Sequence, residues 1–338
     1  MTKIAILGAG SWGTGLAIVL SRSERKHEIA LWAHDAALAA SLQSGRENKT
    51  YLPQHVLPGS VAVTNNIQEA LSRATILIGA MPSAHARSVY KQARPHVSQE
   101  MKIVSATKGL EPSTQLRMSK VVEQILGEPA STTISQRIAV LSGPSFAVEA
   151  ARGEPTAVVL ASQNAALATE LQAVFAAPSF RLYTNDDVLG VELAGAMKNV
   201  MAIAAGACQG LGLGSNALAA LITRGLAEMT RLAVALSARQ ETLSGLAGLG
   251  DLVLTCTGSL SRNRHVGVEL GKGRTLQEIR ANMRMVAEGV DTAAPLLALA
   301  RENHIELPIT EQVDAILHAG KSPREAIRDI MERPLKRE

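Results

Sequence analysis

Residues 3–20, KIAILGAGSWGTGLAIVL, decide the fold of this chain, because they join a strand, a glycine turn and a helix. Lys3–Leu7 is a short continuous apolar run, which is typical of a strand that is buried on both faces. The turn Gly8–Gly13 follows immediately, and Thr14–Leu20 then shows the pattern of a helix. This order predicts the first half of a βαβ unit at the start of an α/β domain.

A second predicted strand, Glu28–Trp32, lies at the spacing of such a unit and is followed by His34 and Asp35. An acid about 20 residues beyond the glycines is where a dinucleotide-binding fold places the residue that binds a ribose. Gly8 and Gly10 would let the backbone approach a pyrophosphate, while the helix N-terminus supplies N–H groups and a positive dipole. A lone glycine-rich turn is weak evidence, but its position between a strand and a helix predicts dinucleotide binding.

The strand–helix alternation continues to about residue 187, which predicts a Rossmann-like domain over residues 1–187 with a parallel, doubly wound sheet. Within it Gly45–Pro58 is polar, contains two prolines and is predicted to be an excursion on the surface. Five further strands are predicted at Val61–Thr64, Thr75–Ala80, Lys102–Ser105, Ile138–Leu141 and Ala157–Ala161.

Polar or glycine-containing segments follow three of these strands directly: Met81–Ser83, Thr107–Gly109 and Ser142–Ser145. Ligands of open α/β sheets bind beyond the carboxyl ends of the strands, so we expect these segments to line one crevice. Lys108, within the second segment, fits an anion-binding role and a solvated loop lysine about equally well.

The composition changes after residue 187, where strand-like runs end and Ala, Leu and Gly dominate. This change predicts an all-helical domain over residues 188–338 that opens with the apolar helix Val188–Gly214. Other helical patterns lie at Asn216–Leu236, Leu276–Met285, Thr292–Glu302, Ile309–His318 and Arg324–Met331.

Lys198 stands near the middle of that apolar helix, on a face of mostly small residues that includes Ala194, Gly195 and Ala202. A lysine there either extends to water along its aliphatic stem or is held for chemistry. Because Lys198 is far from both predicted ends, the second interpretation is favoured.

Three polar segments interrupt the helical half. Gly245–Asp251 is predicted to be a flexible loop, and its carboxylate is either an N-cap or a functional group. Ser261–Arg264 concentrates hydroxyl, amide and guanidinium donors that suit a phosphate, although a solvated basic loop has the same composition. Glu288 stands beside Gly289 in the third segment.

The bulk composition of the 338 residues is that of a globular enzyme. A net charge of +4 and an aromatic share of 2% give no nucleic-acid signature. Cys208 and Cys256 have no metal-ligand spacing and suit a reducing cytoplasm. We expect neither a signal peptide nor a membrane-spanning segment, since Glu192 and Lys198 interrupt the longest apolar run.

Taken together, seven motifs of this chain resemble those of the bacterial NAD(P)-dependent glycerol-3-phosphate dehydrogenase family, in the same order and over nearly the whole length. They are GAGSWGT (Gly8–Thr14), TKGLEP (Thr107–Pro112), LSGPSFA (Leu141–Ala147), GVELAGAMKNVMAIAAG (Gly190–Gly206), ALITRGLAEM (Ala220–Met229), GLAGLGDLVLTCT (Gly245–Thr257) and SRNR (Ser261–Arg264).

The resemblance implies the interconversion of dihydroxyacetone phosphate and sn-glycerol 3-phosphate for phospholipid synthesis, by a cytoplasmic homodimer that needs NAD or NADP and no metal. It implies that Lys198 donates and accepts the proton, with Asn199 and Asp251 beside it. The implied substrate-binding residues are Lys108, Gly143, Ser145, Lys198, Asp251, Ser261, Arg262 and Asn263. The implied dinucleotide-binding residues are Gly8, Gly10, Ser11, Trp12, Gly13, His34, Lys108, Ala147, Arg262, Val286 and Glu288.

Some alternatives stay open at the level of the sequence. Asp35 favours the free 2′-hydroxyl of NAD, whereas the neighbouring His34 leaves NADP open. A hydroxyacid dehydrogenase would share both domains and a catalytic lysine, and a non-catalytic dinucleotide sensor would need only the glycine loop. The phosphate-binding composition of Ser261–Asn263 argues against the first, and the joint presence of Lys198 and Asp251 argues against the second.

Overall fold

The computed structural model describes residues 2–127, 133–283 and 287–335. The chain divides into two compact units, Met1–Glu192 and Leu193–Glu338. The predicted domains, residues 1–187 and 188–338, place the boundary a few residues earlier and stay a prediction.

The first unit is built on an eight-stranded sheet. Its strands are β1 (Thr2–Leu7), β2 (His27–Trp32), β5 (Val61–Thr64), β6 (Ile76–Gly79), β7 (Lys102–Ser105), β8 (Ile138–Ser142), β9 (Thr156–Ala161) and β10 (Phe180–Asn185), while β3 (Glu47–Asn48) and β4 (Leu52–Val56) form a separate hairpin. The order across the sheet is β5, β2, β1, β6, β7, β8, β9, β10. Its first six strands have the order of a dinucleotide-binding sheet, with the reversal at β1.

Helices cover both faces of this sheet, as its apolar strands require. Ile4 and Ile6 of β1 join one hydrophobic core, while Ala5 and Leu7 join the other, because successive side chains of a strand point to opposite faces. The helices are α1 (Ser11–Ser21), α2 (Ala36–Gly45), α3 (Ile67–Leu71), α4 (Ser83–Ala93), α5 (Met118–Leu126), α6 (Ala147–Arg152) and α7 (Ala165–Phe175).

The sheet differs from the sequence prediction in three respects. β9 runs antiparallel to β8, because the six-residue α6 does not carry the chain back along the sheet as a crossover helix would. β10, whose polar and apolar residues alternate beside a turn, was missed as a strand. The predicted surface excursion at Gly45–Pro58 contains the β3–β4 hairpin, which Arg46 closes by donating to the carbonyl oxygens of Leu57 and Pro58.

The second unit is helical throughout its described residues, as the composition predicts. The long α8 (Val188–Gly210) contributes most of its length to this unit. The remaining α-helices are α9 (Ser215–Ala235), α10 (Gln240–Ser244), α11 (Asp251–Thr257), α12 (Arg262–Gly271), α13 (Leu276–Asn282), α14 (Glu288–Glu302), α15 (Pro308–His318) and α16 (Pro323–Met331).

Small residues let α8 and α12 pack backbone to backbone. A methyl group added at Gly267 of α12 would lie 1.9 Å from the carbonyl oxygen of Ile203. One added at Gly206 of α8 would lie 2.0 Å from the carbonyl oxygen of Arg264. Among the described helices, α8 has the length and apolarity to cross a membrane, but 89% of its most apolar window is buried in the protein. The small-residue face therefore serves packing within a globular core.

The segment Gly245–Asp251 is helical from Leu246 onward, so its prediction as a flexible loop was wrong. Leu246–Gly250 forms a π-helical turn in which the N–H of Gly250 donates to the carbonyl oxygen of Gly245 (3.1 Å). Gly248 is needed for packing, since a methyl group there would lie 1.9 Å from the carbonyl oxygen of Leu243. The turn leads directly into α11 and presents Asp251 at its first residue.

Candidate functional site

The glycines of the Gly8–Gly13 turn have different roles. Gly8 has a φ of +116°, and a methyl group on it would lie 2.7 Å from the carbonyl oxygen of Ala80 on the neighbouring β6 side. A methyl group at Gly13 would lie 1.8 Å from the carbonyl oxygen of Gly8. At Gly10, in contrast, a methyl group would meet no described atom within 4 Å. Packing therefore explains Gly8 and Gly13, while Gly10 keeps the N-terminal end of α1 open to a ligand.

The β3–β4 hairpin holds this turn in place, which the sequence did not reveal. The buried amide of Asn48 donates to the carbonyl oxygen of Ala9 (2.9 Å) and to Thr14 Oγ1 (2.8 Å). The hydroxyl of Ser11 donates to the carbonyl oxygen of Tyr51 (2.6 Å). An asparagine in a polar, proline-containing segment reads as a turn residue, and only the tertiary contact shows that Asn48 positions the glycine turn.

The remaining predicted dinucleotide-binding residues of the first unit lie around the sheet edge. Trp12 has a buried indole N–H without a partner in the described part of the chain. Ala147 begins α6 and packs on Gly15 of α1. A methyl group added at Gly15 would lie 3.4 Å from the Cβ of Ala147. His34 is exposed and contacts the edge of Trp32. An open turn, an orphaned buried donor and a helix N-terminus together fit a dinucleotide.

Asp35 has a structural role in addition to the ribose binding predicted for it. Its carboxylate is the N-cap of α2 and accepts a hydrogen bond from the backbone N–H of Leu38 (2.8 Å). The side chain is exposed, so its second oxygen remains able to accept from a ribose hydroxyl.

The segments after β6, β7 and β8 meet at the carboxyl edge of the sheet, as predicted. The hydroxyl of Thr107 donates to the carbonyl oxygen of Met81 (2.7 Å). The ammonium of Lys108 donates to the carbonyl oxygen of Gly143 (2.8 Å) and lies 3.4 Å from the hydroxyl of Ser145. Lys108 is therefore held in a fixed position beside Gly143 and Ser145 and is not a freely solvated loop lysine.

Lys198, Asp251 and Thr255 form one buried cluster in the second unit. The ammonium of Lys198 donates to Asp251 Oδ1 (2.7 Å) and to Thr255 Oγ1 (2.9 Å). Lys198 is only 6% exposed and Asp251 only 1% exposed. The hydroxyl of Thr255 in turn donates to the main-chain oxygen of Asp251 (2.6 Å). Asp251 therefore orients the lysine rather than capping a helix, and the predicted pairing is present.

Asn199 and Asn263 are joined in a second chain of hydrogen bonds. The amide of Asn263 donates to Asn199 Oδ1 (2.9 Å), and Asn263 Oδ1 accepts from the backbone N–H of Gly289 (2.9 Å). Asn199 and Asn263 are both buried. This chain ties the residue after Lys198 to the N-terminal turn of α14, where the predicted dinucleotide-binding Glu288 lies.

The Ser261–Asn263 segment starts a helix, a role that its composition did not reveal. Ser261 is the N-cap of α12 and accepts from the backbone N–H of Arg264 (3.2 Å). Surrounding protein lowers the pKa of the Arg262 guanidinium by desolvation, and the carboxylate of Glu288 opposes this shift. Val286, also predicted to bind the dinucleotide, lies outside the described residues.

The sequence did not reveal the roles of two residues, one in each unit. Thr255 was not placed beside Lys198, because only the helical register of α11 shows that it lies one turn after Asp251. Asn48 could have been suspected only from a tertiary contact. Among the described residues, no group of three or more His, Cys, Asp or Glu side chains could hold a metal ion.

A doubly wound sheet with an open glycine turn at its first βα junction defines a dinucleotide-binding protein. Residues 3–168 match the profile of the NAD-dependent glycerol-3-phosphate dehydrogenase N-terminus, and residues 187–328 match the C-terminal profile of the same enzymes. The chain therefore belongs to the NAD-dependent glycerol-3-phosphate dehydrogenase family and is an NAD(P)-dependent oxidoreductase.

Individual relatives agree with this membership. The chain is 53% identical over 335 residues to the glycerol-3-phosphate dehydrogenase [NAD(P)+] of Koribacter versatilis, covering 99% of this chain and 98% of that protein. It is 53% identical over 338 residues to the protein of the same name from Acidobacterium capsulatum, covering 99% of each. The crystal structure of glycerol-3-phosphate dehydrogenase from Coxiella burnetii superimposes with a TM-score of 0.92 at 41% identity, covering 98% of this chain and 99% of that one.

Proposed function

We propose that this chain interconverts dihydroxyacetone phosphate and sn-glycerol 3-phosphate. The observation that carries the proposal is the buried Lys198, which is hydrogen-bonded to Asp251 and Thr255. A bound NAD(P)H supplies the hydride that reduces the carbonyl carbon. The chain itself has to orient the substrate, bind its phosphate and exchange one proton with its oxygen.

Lys198 is the proposed proton donor in the reducing direction and the proton acceptor in the oxidising direction. Its ammonium is held by hydrogen bonds to Asp251 and Thr255, and it is the group proposed to exchange a proton with the substrate oxygen. Asp251 favours the charged ammonium, and the buried setting strengthens its attraction to the developing alkoxide. Lys198 thereby both transfers the proton and stabilises the charge that forms before the transfer.

The substrate phosphate and hydroxyls are assigned to the remaining predicted residues. Asn263 uses one amide hydrogen on Asn199 and its oxygen on Gly289, which leaves one amide hydrogen for a ligand. Ser261 accepts a hydrogen bond as an N-cap and still has its hydroxyl hydrogen to donate. Arg262 adds a guanidinium that matches a phosphate bidentately. Lys108, Gly143 and Ser145 are also proposed to bind the substrate.

The biological setting rests on the family resemblance alone. We infer from it that the product supplies phospholipid synthesis, that the enzyme is cytoplasmic and that it is a homodimer. Sedimentation of the purified protein measures the last of these directly, and a monomer would contradict it.

The central test follows the oxidation of NADH and of NADPH on addition of dihydroxyacetone phosphate to the purified chain. We expect turnover with at least one of the two cofactors and formation of sn-glycerol 3-phosphate. Lack of turnover with both would refute the proposal. Turnover with a 2-oxo acid in place of dihydroxyacetone phosphate would favour a hydroxyacid dehydrogenase.

Replacement of Arg262 tests whether the substrate is recognised by its phosphate. We expect Arg262→Ala to raise KM for dihydroxyacetone phosphate by about tenfold or more, since a charge-assisted hydrogen bond would be lost. Arg324→Ala on the exposed side of α16 is the matched control and should leave KM unchanged. An unchanged KM in the first variant would place the phosphate elsewhere.

A further inference from the structure

A cavity of about 360 Å³ lies in the first unit, away from the open end of the glycine turn. It is bounded by the C-terminal half of α1, by α6 and by strand β4. Its volume is at the lower end of the range of small-molecule sites. None of the residues that line it was assigned a role in the reaction.

The lining of this cavity combines positive charge with an apolar floor. Its basic side chains are Arg22, His55 and Arg152, and none of its lining residues is a carboxylate. Ile18, Val56 and Ala151 supply the apolar part. Such a combination suits a small ligand that has an anionic group at one end and a carbon skeleton at the other.

Arg22 is already oriented toward this cavity. Its guanidinium donates to the carbonyl oxygens of Ala150 (3.4 Å) and Ala151 (2.5 Å) at the C-terminal end of α6. A guanidinium has five N–H donors, so three remain after these two bonds. Because its position is fixed before any ligand arrives, little side-chain entropy would be lost on binding.

The other two basic side chains are also compatible with an anion. Within the part of the chain that the structure describes, Arg152 forms an exposed ion pair with Glu154 at 3.6 Å, a contact that contributes little and that an anion can replace. The Nδ1 of His55 lies 2.7 Å from the carbonyl oxygen of Pro53 and therefore carries a hydrogen, so Nε2 donates to an anion only when the imidazole is protonated.

The wall formed by β4 contains a residue in an unfavourable backbone conformation. Gln54 has a φ of +65°, in the left-handed region that non-glycine residues rarely adopt. Its backbone N–H is fixed by Glu47 Oε1 (2.8 Å). Strain of this kind persists where the surrounding structure requires it, and it is concentrated at binding and switching segments.

The same hairpin also contacts the glycine turn. Gln54, His55 and Val56 line the cavity, whereas Asn48 and Tyr51 make the hydrogen bonds to Ala9, Thr14 and Ser11 described above. A ligand that fixes the conformation of one end of a short hairpin also changes the free energy of binding at a site that the other end supports.

We propose that this cavity is a second, regulatory site for a small organic phosphate, and that its occupancy changes the affinity of the glycine turn for the dinucleotide through the β3–β4 hairpin. A phosphate is favoured over a single carboxylate because two arginines and a histidine face one cavity. The regulatory part of the proposal rests on the proposed dinucleotide site, whereas ligand binding in the cavity does not.

Calorimetric titration tests the binding step with phenyl phosphate, which has an apolar ring and cannot be reduced as a substrate. The titration is repeated with Arg262→Gln, which removes the proposed phosphate-binding guanidinium of the substrate site and leaves the cavity unaltered. We expect one site that Arg262→Gln leaves in place, that Arg152→Gln weakens about tenfold and that the control Arg324→Gln leaves unchanged. Absence of this site, equal binding by Arg152→Gln and Arg324→Gln, or tighter binding of citrate than of phenyl phosphate would each overturn the proposal.

The coupling step is tested by the fluorescence of NADH, titrated with and without phenyl phosphate. We expect a saturable change of several-fold in the Kd of NADH that is present in Arg324→Gln and lost in Arg152→Gln. A change that is equal in the two variants would mean competition at the dinucleotide site and would overturn the coupling. Failure of NADH to bind the unaltered protein would count against the proposed function instead, and the calorimetric result would stand.

Discussion

Lys198 shows how the chemistry of one side chain depends on the few atoms around it. The residue stands in an apolar helix, yet its ammonium has two buried oxygen acceptors at hydrogen-bond distance. The sequence predicted that the lysine is functional, and the family resemblance implied that Asp251 is its partner. Neither placed Thr255 on the lysine, because that contact depends on the packing of α11 on α8.

Replacing Lys198 with Ala tests the assigned role of the proton donor. We expect kcat to fall by about 10²–10⁴-fold, the usual contribution of general acid–base catalysis, while the Kd of NADH changes little. Lys272→Ala, at the exposed end of α12, is the control and should retain full activity. Nearly normal turnover in Lys198→Ala would remove this residue from the mechanism.

Asp35 offers a test of cofactor choice that leaves the fold intact. Serine, like aspartate, is a good N-cap, so Asp35→Ser should keep α2 in place while it removes the carboxylate. We expect the ratio of kcat/KM for NADPH to that for NADH to rise, since a carboxylate repels a 2′-phosphate. Asp35→Asn keeps the shape and the cap and should behave in the same way. If both ratios stay at the wild-type value, Asp35 does not face the ribose.

At the scale of elements, the glycines of the second unit have packing roles that the sequence pattern does not show. The composition of Gly245–Asp251 predicted a flexible loop, yet Gly248 permits a close contact with Leu243 inside a π-helical turn. The same residue type gives flexibility in an open loop and rigid packing between helices. Which applies depends on contacts that the composition of the segment does not show.

Gly267→Ala measures how much the close contact of α8 and α12 contributes. The added methyl group would overlap the carbonyl oxygen of Ile203, so we expect the free energy of unfolding to fall by about 1–3 kcal/mol. Gly245→Ala is the control within the same unit, because its methyl group would lie 3.5 Å from the nearest atom. The midpoints of thermal and urea unfolding should be clearly lower for Gly267→Ala than for Gly245→Ala. Equal midpoints would show that α8 and α12 can move apart at little cost in free energy.

At the scale of the whole molecule, a buried carboxyl group links the stability of the second unit to pH. Glu228 of α9 accepts hydrogen bonds from the backbone N–H groups of Ile309 (2.6 Å) and Thr310 (3.3 Å) at the start of α15. Burial raises the pKa of Glu228 from an ordinary value of 4.5 to about 7, although these bonds oppose the shift. The folded state therefore binds a proton more tightly than the unfolded state does.

The sign of the pH effect follows from that direction. A raised pKa in the folded state contributes stability that is complete below about pH 4.5 and is lost as the pH rises through about 7. Compared with the non-titrating Glu228→Gln, the unaltered protein should lose up to about 3 kcal/mol of unfolding free energy between these values. Urea unfolding of both proteins at a series of pH values measures the difference. A difference that does not vary with pH would mean that the folded carboxyl group titrates normally.

The sequence alone determined the class of fold, the glycine turn and the family, because these depend on local periodicity and on motifs that are contiguous in the chain. The family resemblance in turn implied that Asp251 lies beside Lys198. Only the tertiary structure decided the antiparallel β9, the strand β10 and the support of the glycine turn by Asn48. It also placed Thr255 on Lys198 and brought Arg22, His55 and Arg152 around one cavity. The physical reason is that buried hydrogen bonds, backbone contacts between helices and cavities join residues that are far apart in the chain. Neither periodicity nor composition encodes which of those residues will meet.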